Sequence, residues 1–156
     1  MKTIAESIKD LPAFSVSPLF GADYVKKVVP FINAVQEEIR IIIYDWRAQK
    51  EPEVSALSLF NQAIFNAAAR GVNVRAIVSS ETLKDFLSTK GVFAKVLPTE
   101  KMLHTKLLIL DRYHVVLGSH NFTKSAFTSN HELSVYFIET EYENRFISYF
   151  ENLWSY

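Results

Sequence analysis

Hydrophobic residues recur along the chain in two alternating patterns, helical spacing and short continuous runs. Helical spacing predicts four helices, over residues 23–38, 54–70, 80–90 and 141–154. Runs rich in Val, Ile and Leu predict three strands, each after a helix, over residues 39–46, 72–78 and 92–97. Gly71 directly follows the second helix, where a terminating glycine belongs. Pro30 should bend the first helix or mark its true start.

The pattern changes in the last third of the chain. Two apolar runs, 106–111 and 114–119, are separated only by Arg112 and Tyr113, which predicts a tight antiparallel hairpin. A further strand is predicted over 132–138. Alternating helices and strands followed by a hairpin predict one α/β domain, residues 1–156, with a mixed β-sheet flanked by helices on both faces.

Composition narrows the class of protein. The 156 residues include 17 basic and 17 acidic side chains and no cysteine, which excludes disulfides and Cys-based zinc sites. No apolar run approaches the length of a membrane span, and the first residues lack a secretion signal. We therefore expect no membrane insertion and a cytoplasmic location, unless a leader has been removed.

The polar residues are unevenly distributed. All four histidines lie between residues 104 and 131, and residues 95–131 carry five basic and two acidic side chains. This local positive excess indicates an anionic substrate or a merely solvated face. The spacing of His114, His120 and His131 fits no standard metal site.

One segment concentrates the chemistry. His104 and Lys106 stand two positions apart on a predicted strand, so their side chains share a face. The hairpin should return Ser119 and Asn121 close to them, and Gly118 permits close backbone approach. An imidazole, an ammonium, a hydroxyl and an amide in one small volume are suited to binding and cleaving a phosphate ester.

The order His104-x-Lys106-x4-Asp111-x6-Gly118-Ser119-x-Asn121 resembles the HKD motif of the phospholipase D superfamily. Glu132 also resembles the acid that follows this motif in the small bacterial phospholipase D-like endonucleases. The resemblance implies a phospholipase D-like fold. Its implied site residues are the catalytic His104, Lys106, Asn121 and Glu132, the phosphate-binding Lys106, Ser119 and Asn121, and the structural Asp111 and Gly118.

The resemblance also implies a mechanism. In the superfamily one motif histidine attacks phosphorus to form a phosphohistidine, and the histidine of a second motif protonates the leaving oxygen. This chain has a single motif, so the resemblance implies a homodimer in which His104 of both subunits faces one phosphate. Glu132 would orient an imidazole, on its own or the partner subunit. No metal or other cofactor is implied.

Three functions remain open from the sequence. A nuclease acting on DNA or RNA is favoured by the small chain and the local positive charge. A phospholipase D or phosphatidyl transferase, and a catalytically silent nucleic-acid-binding module, are the alternatives. Tyr44 and Trp46 should either flank the cleft and stack on a base or be buried at a strand end. His120 is expected at the surface, and Lys124 either touches a flanking phosphate or is simply solvated.

Overall fold

The chain forms a seven-stranded mixed β-sheet in a computed structural model that describes residues 15–49, 54–140 and 144–156. The strand order is β1-β7-β6-β5-β2-β3-β4. The strands are β1 (Val16–Phe20), β2 (Glu38–Ile43), β3 (Asn73–Val78), β4 (Phe93–Val96), β5 (Lys106–Leu110), β6 (His114–Gly118) and β7 (Leu133–Ile138). Strands β2, β3 and β4 are parallel, and the remaining pairs are antiparallel.

Five helices cover the two faces of the sheet within the described residues. They are α1 (Asp23–Ala34), α2 (Ala56–Ala69), α3 (Glu81–Ser88), α4 (Lys124–Thr128) and α5 (Arg145–Trp154). The first four pack on one face, where Ile41, Phe60 and Phe127 belong to the larger core cluster. Helix α5 packs on the other face, where Phe150 contacts a smaller cluster that includes Ile109. The predicted mixed sheet with helices on both faces is therefore confirmed.

Two elements were not predicted. Strand β1 is an edge strand in which only Leu19 is buried, and it contains Pro18, so its residues show no alternating pattern. Helix α4 has five residues, too few for a helical period to be recognised. Pro30 lies inside α1 rather than at its start. The predicted helix start at residue 141 lies outside the described residues.

Five strand ends lie together at one end of the sheet. Strand β5 runs antiparallel to β2, so the start of β5 lies beside the end of β2, where Lys106 pairs with Ile43. Strand β6 finishes at the same end of the sheet, and β7 begins there, because β6 is antiparallel to both β5 and β7. The last residues of β3 also lie at this end of the sheet because β3 is parallel to β2. The motif residues are therefore collected at one end of the sheet.

An ion cluster attaches α5 to the sheet. Glu151 on α5 accepts hydrogen bonds from Arg40 on β2 (2.9 Å) and from both terminal nitrogens of Arg75 on β3 (3.0 and 2.6 Å). These bonds, led by those from Arg75, lower the pKa of the Glu151 carboxyl group. Both guanidinium groups also lie over the Phe150 ring. None of the described helices is long and apolar enough to span a lipid bilayer.

Candidate active site

His104 and Lys106 lie together at the exposed start of β5. The Lys106 Nζ atom is 3.1 Å from the His104 Nε2 atom and donates a hydrogen bond to the His104 carbonyl oxygen at 2.9 Å. A lysine ammonium can only donate, so Nε2 accepts from it, and the proton of a neutral ring is on Nδ1. The structure thus places a ring nitrogen that carries a lone pair beside a cation, and this lone pair can attack phosphorus only once the Lys106 hydrogen bond to it is released.

Tyr44 follows β2 and forms one wall of this pair. Its ring centroid is 5.3 Å from that of His104, and Lys106 Nζ lies 5.5 Å from the same Tyr44 centroid. The Tyr44 backbone is held by Ser79, whose hydroxyl donates to the Tyr44 carbonyl oxygen at 2.5 Å. Burial lowers the pKa of Lys106, and the negative charge of Glu132 opposes that shift. Glu132 therefore lies near enough to Lys106 to stabilise its charged form.

Glu132 immediately precedes β7, and two neighbours hold its carboxylate. Ser119 donates a short hydrogen bond to Oε2, and Asn130 Nδ2 donates to Oε1 at 3.1 Å. Ser119 Oγ in turn accepts from the Leu133 amide at 3.1 Å. The Ser119 hydroxyl, expected to bind phosphate, is thus engaged with Glu132, and its role toward phosphate stays a prediction. Asn130 was not found from the sequence, because nothing local distinguishes it from a turn former.

Asn121 is tied to the end of β2 rather than to β5. Its side-chain oxygen accepts from the Asp45 amide at 3.3 Å, which leaves its NH2 group to donate elsewhere. The Phe122 amide donates to the Asp45 carbonyl oxygen, and the Arg47 amide donates to that of Phe122. The chain therefore leaves the hairpin after β6 and runs beside residues 45–47. Asn121 therefore lies at the same end of the sheet as His104 and Lys106, but its hydrogen bond joins it to the chain after β2 and not to β5.

Gly118 allows β6 to approach β7 closely. A Cβ atom at this position would lie 2.4 Å from both Cα and Oγ of Ser134. Any other residue would therefore push the two strands apart where Ser119 and Glu132 meet. Close backbone approach was expected of Gly118 because it lacks a Cβ atom, and the strand that it approaches here is β7.

The prediction that His120 lies at the surface is wrong. Its side chain is buried, with an Nε2 atom 2.9 Å from the Gly21 carbonyl oxygen and an Nδ1 atom 2.8 Å from Ser134 Oγ. Since a carbonyl oxygen only accepts, Nε2 carries the proton, and Nδ1 accepts from Ser134. Burial lowers the pKa of His120. The residue was misjudged because strand alternation stops after Gly118, so the next side chains no longer alternate between faces.

Asp111 occupies the hairpin turn at the opposite end of the sheet. Its carboxylate accepts hydrogen bonds from the consecutive backbone amides of Gln36, Glu37 and Glu38, at 2.9, 2.8 and 3.1 Å. Asp111 therefore connects the β5–β6 turn to the start of β2. It is remote from the other motif residues and acts on them only through the strands.

The remaining candidate residues differ in whether their side chains are buried or exposed. Trp46 is buried, with its indole NH donating to Asn61 at 2.8 Å, whereas Tyr44 is exposed beside His104. Of the other histidines, His114 bonds to the Tyr136 hydroxyl and His131 is exposed. Within the three described ranges, no group of three or more His, Asp or Glu side chains is placed to hold a metal ion.

Two clefts adjoin the site. A polar cleft of about 560 Å³ includes Asn121 and Lys124. A larger cleft of about 1000 Å³ extends from His104 down the α5 face of the sheet, between side chains such as Leu117 and Tyr149. The larger cleft was not predicted, because its apolar walls come from three strands and a helix that are distant in sequence.

Known proteins resemble this chain in sequence and in fold. A family model described as "Cardiolipin synthase, PLD-like domain" matches residues 28–154. A phospholipase D of Rickettsia prowazekii is 30% identical over 134 residues, which are 81% of this chain and 61% of the relative. The chain thus spans less than two thirds of that relative's length.

Two solved structures share the fold. One is Nuc from Salmonella typhimurium, a phospholipase D family member, with a TM-score of 0.72 and 21% identity over 90% of this chain and 95% of its own. The other is NucT from Helicobacter pylori, with a TM-score of 0.71 and 21% identity over 92% and 97%. The family match includes the whole segment from His104 to Asn121 and Glu132. The resemblance inferred from the motif is confirmed, and the chain belongs to the phospholipase D superfamily.

Proposed function

We propose that this protein is a metal-independent phosphodiesterase that hydrolyses nucleic acid, DNA in the first instance, at a site shared by two subunits of a homodimer. The observation that carries the proposal is the contact between His104 Nε2 and Lys106 Nζ at the open end of the sheet. This contact supports the proposal because it brings an imidazole and an ammonium group together where a phosphodiester could reach both from solvent.

The charges near the site support an anionic polymer as substrate. Lys106 lies at the site itself, and Lys124 lines the polar cleft that begins at Asn121. Phosphate binding by Lys and Arg supplies most of the sequence-independent affinity for nucleic acid. Because the chain as a whole is neutral, we expect this affinity to be local and to fall steeply as salt is added.

The proposed reaction has two balanced steps. A ring nitrogen of His104 attacks phosphorus while the P–O bond to the leaving group breaks, and the protonated His104 of the partner subunit gives that oxygen its proton. Water then attacks the phosphohistidine and passes a proton to that second imidazole, and the N–P bond breaks. Lys106 and Asn121 would hold the non-bridging oxygens, with Ser119 assisting, and Glu132 would stabilise an imidazolium.

A digestion assay tests the proposal. Supercoiled plasmid and single-stranded DNA are incubated with the protein in excess EDTA, beside His104→Ala and the matched control His131→Ala, which removes an exposed imidazole. We expect cutting by the wild type and the control and none by His104→Ala. Absence of cutting by the wild type, or equal cutting by His104→Ala, would contradict the proposal.

The larger cleft favours a second candidate, the hydrolysis or transfer of phosphatidyl groups. The apolar wall of this cleft starts at His104. A phospholipid whose phosphate lies at His104 could therefore place an acyl chain along Leu117 and Phe137. The relative from Rickettsia prowazekii is named phospholipase D. Product analysis on phosphatidylcholine, cardiolipin and DNA separates the two candidates. A Leu117→Gln variant should lose activity on lipid selectively if the second candidate is correct.

A further inference from the structure

The polar cleft beside the site lies between the chain that follows β2 and the residues around α4. It has a volume of about 560 Å³, and Asp45, Arg47, Asn121, Lys124 and Asn130 are among its lining residues. Nearly all of the lining side chains are polar or charged. A cleft of this composition is suited to a hydrated, charged ligand rather than to an acyl chain.

Two cations face this cleft. Arg47 is exposed and is held by Asp45, with its Nε atom 3.0 Å from Oδ1 and an Nη2 atom 3.4 Å from Oδ2. Lys124 is exposed at the start of α4, and no ion pair joins it to another described residue. Among the lining residues that the structure describes, two cations and one carboxylate sum to a charge of +1. Asp45 accepts from Nε and Nη2 of the guanidinium group, which has further N–H donors on Nη1 and Nη2.

Two side chains connect the cleft with the candidate active site. Asn121 belongs to the motif and lines the cleft, and Asn130 lines the cleft while donating to Glu132. The backbone of residues 45–47 is hydrogen-bonded to that of Phe122, so the Arg47 backbone is held beside the backbone that carries Asn121. A ligand with a phosphate at His104 and Lys106 could therefore extend directly into the cleft.

We propose that Arg47 and Lys124 form a second phosphate-binding site, which holds the phosphate next to the scissile one in a single-stranded nucleic acid. The proposal rests on the proposed nuclease function and adds the direction in which the strand leaves the site. Arg47 presents a planar group that can bind two phosphate oxygens, and Lys124 adds a flexible point charge. Neither residue touches the reacting atoms, so both act on affinity for a polymer.

The test compares a substrate that has neighbouring phosphates with one that has none. Rates of cleavage of a single-stranded oligodeoxynucleotide and of bis(p-nitrophenyl) phosphate are measured for the wild type, Arg47→Gln and Lys124→Gln. Lys90→Gln is the matched control, because Lys90 precedes β4 at the opposite end of the sheet. Arg47→Lys keeps the charge and removes the planar group.

We expect each Gln variant to lose about three- to tenfold in kcat/KM on the oligonucleotide, beyond any loss on the small diester, mainly through KM. The slope of log(kcat/KM) against log[salt] should become shallower by about 0.7 for each cation removed. Arg47→Lys should recover the slope but only part of the rate. Lys90→Gln should match the wild type on both substrates.

The outcomes separate this proposal from the nuclease proposal. If the wild type cleaves the oligonucleotide and the Gln variants cleave it equally well, the second phosphate site is wrong and the nuclease function stands. If the variants lose the same factor on both substrates, they disturb the catalytic site and the second site is likewise wrong. If the wild type cleaves only the small diester, both proposals are wrong.

Discussion

At the scale of single residues, the site is a set of polar groups that hold one another in place. Lys106 contacts His104, while Ser119 and Asn130 hold the carboxylate of Glu132 near Lys106. Each group restricts the rotation of the next, so less side-chain entropy remains to be lost when a substrate binds. The charge state of Lys106 depends on this arrangement, because burial and Glu132 act on it in opposite directions.

Removal of the Glu132 charge should lower the pKa of the Lys106 ammonium group. Burial already lowers this pKa and the negative charge of Glu132 opposes that shift, so Glu132→Gln should lower it further. An NMR titration of the Lys106 side chain measures the change directly, whereas the alkaline limb of a pH–rate profile would report the loss of the imidazolium proton that the proposed reaction also needs. The exposed Glu100→Gln is the control. An unchanged Lys106 pKa in Glu132→Gln would show that the two groups are uncoupled.

His120 connects three parts of the chain at the end of the sheet where the candidate active site lies. It bonds to Gly21 after β1 and to Ser134 on β7, and its ring centroid lies 4.6 Å from that of Tyr24 on α1. Its neutral form fits these contacts, since burial lowers its pKa below the usual 6.5. The unfolded chain therefore binds more protons than the folded chain in mildly acidic solution. Stability from this group is present above pH 6.5 and is lost as the pH falls towards the lowered pKa.

Substitution of His120 should reduce both stability and its dependence on pH. In His120→Ala the Ser134 hydroxyl and the Gly21 carbonyl lose their partner, and a cavity remains, at a cost of about 2–4 kcal/mol in the free energy of unfolding. Urea denaturation at a series of pH values measures both effects, with His131→Ala as control. A wild type and a His120→Ala variant with parallel stability–pH curves between pH 7 and 5 would contradict this assignment.

At the scale of elements, contacts at both ends of the strands fix where the strands begin and end relative to one another. Asp111 and Arg112 adopt positive φ angles of 45° and 69° in the β5–β6 turn, and Asp111 caps the amides that lead into β2. These contacts set the register of β5 against β2, which places Lys106 opposite Ile43 at the far end. A residue remote from the site thus influences the site through register.

Two substitutions at Asp111 should differ in severity. Asp111→Ala loses three amide hydrogen bonds and places a Cβ-bearing apolar residue at positive φ, so we expect a loss of about 2–4 kcal/mol in unfolding free energy. Asp111→Asn keeps one acceptor oxygen and tolerates the conformation, so its loss should be about half as large. Chemical denaturation measures both, with the exposed Asp85→Asn as control. Equal stability of the two variants would contradict a capping role.

Most elements were recognised from sequence because they obey a local rule. Strands β2 and β3 are buried on both faces and read as continuous apolar runs, and the tight hairpin follows from the short gap between two runs. Strand β1 and helix α4 exist because of contacts made elsewhere: β1 pairs along β7, and α4 inserts Phe127 into the larger core cluster. Neither contact leaves a local periodic signal in the sequence.

At the scale of the whole molecule, one subunit holds half of the proposed machinery. The site lies at the open end of the sheet, and His104 there is exposed. In the proposed reaction one imidazole must be neutral and another protonated, and a twofold axis would supply both from the same residue. The two clefts that leave this end offer separate paths for a polar strand and an apolar chain.

A subunit-mixing experiment tests the shared site. Wild-type and His104→Ala chains are refolded together in equal amounts, so that about one quarter of random dimers carry two intact histidines. We expect about a quarter of the activity of the same amount of all-wild-type dimer, whereas independent sites predict about half. Analytical ultracentrifugation establishes the mass of the active species. A monomeric active species, or half activity on mixing, would contradict the shared site.

Order along the chain was enough to identify the superfamily, the residues of the motif and most of the sheet, because hydrophobic periodicity and motif spacing are local. Packing between distant segments was needed to decide which partner each polar group has. Ser119 meets Glu132, Asn121 meets Asp45, and His120 meets Gly21, although 13 to 99 residues separate the members of these pairs. Such contacts depend on strand order and register, which no local spacing encodes.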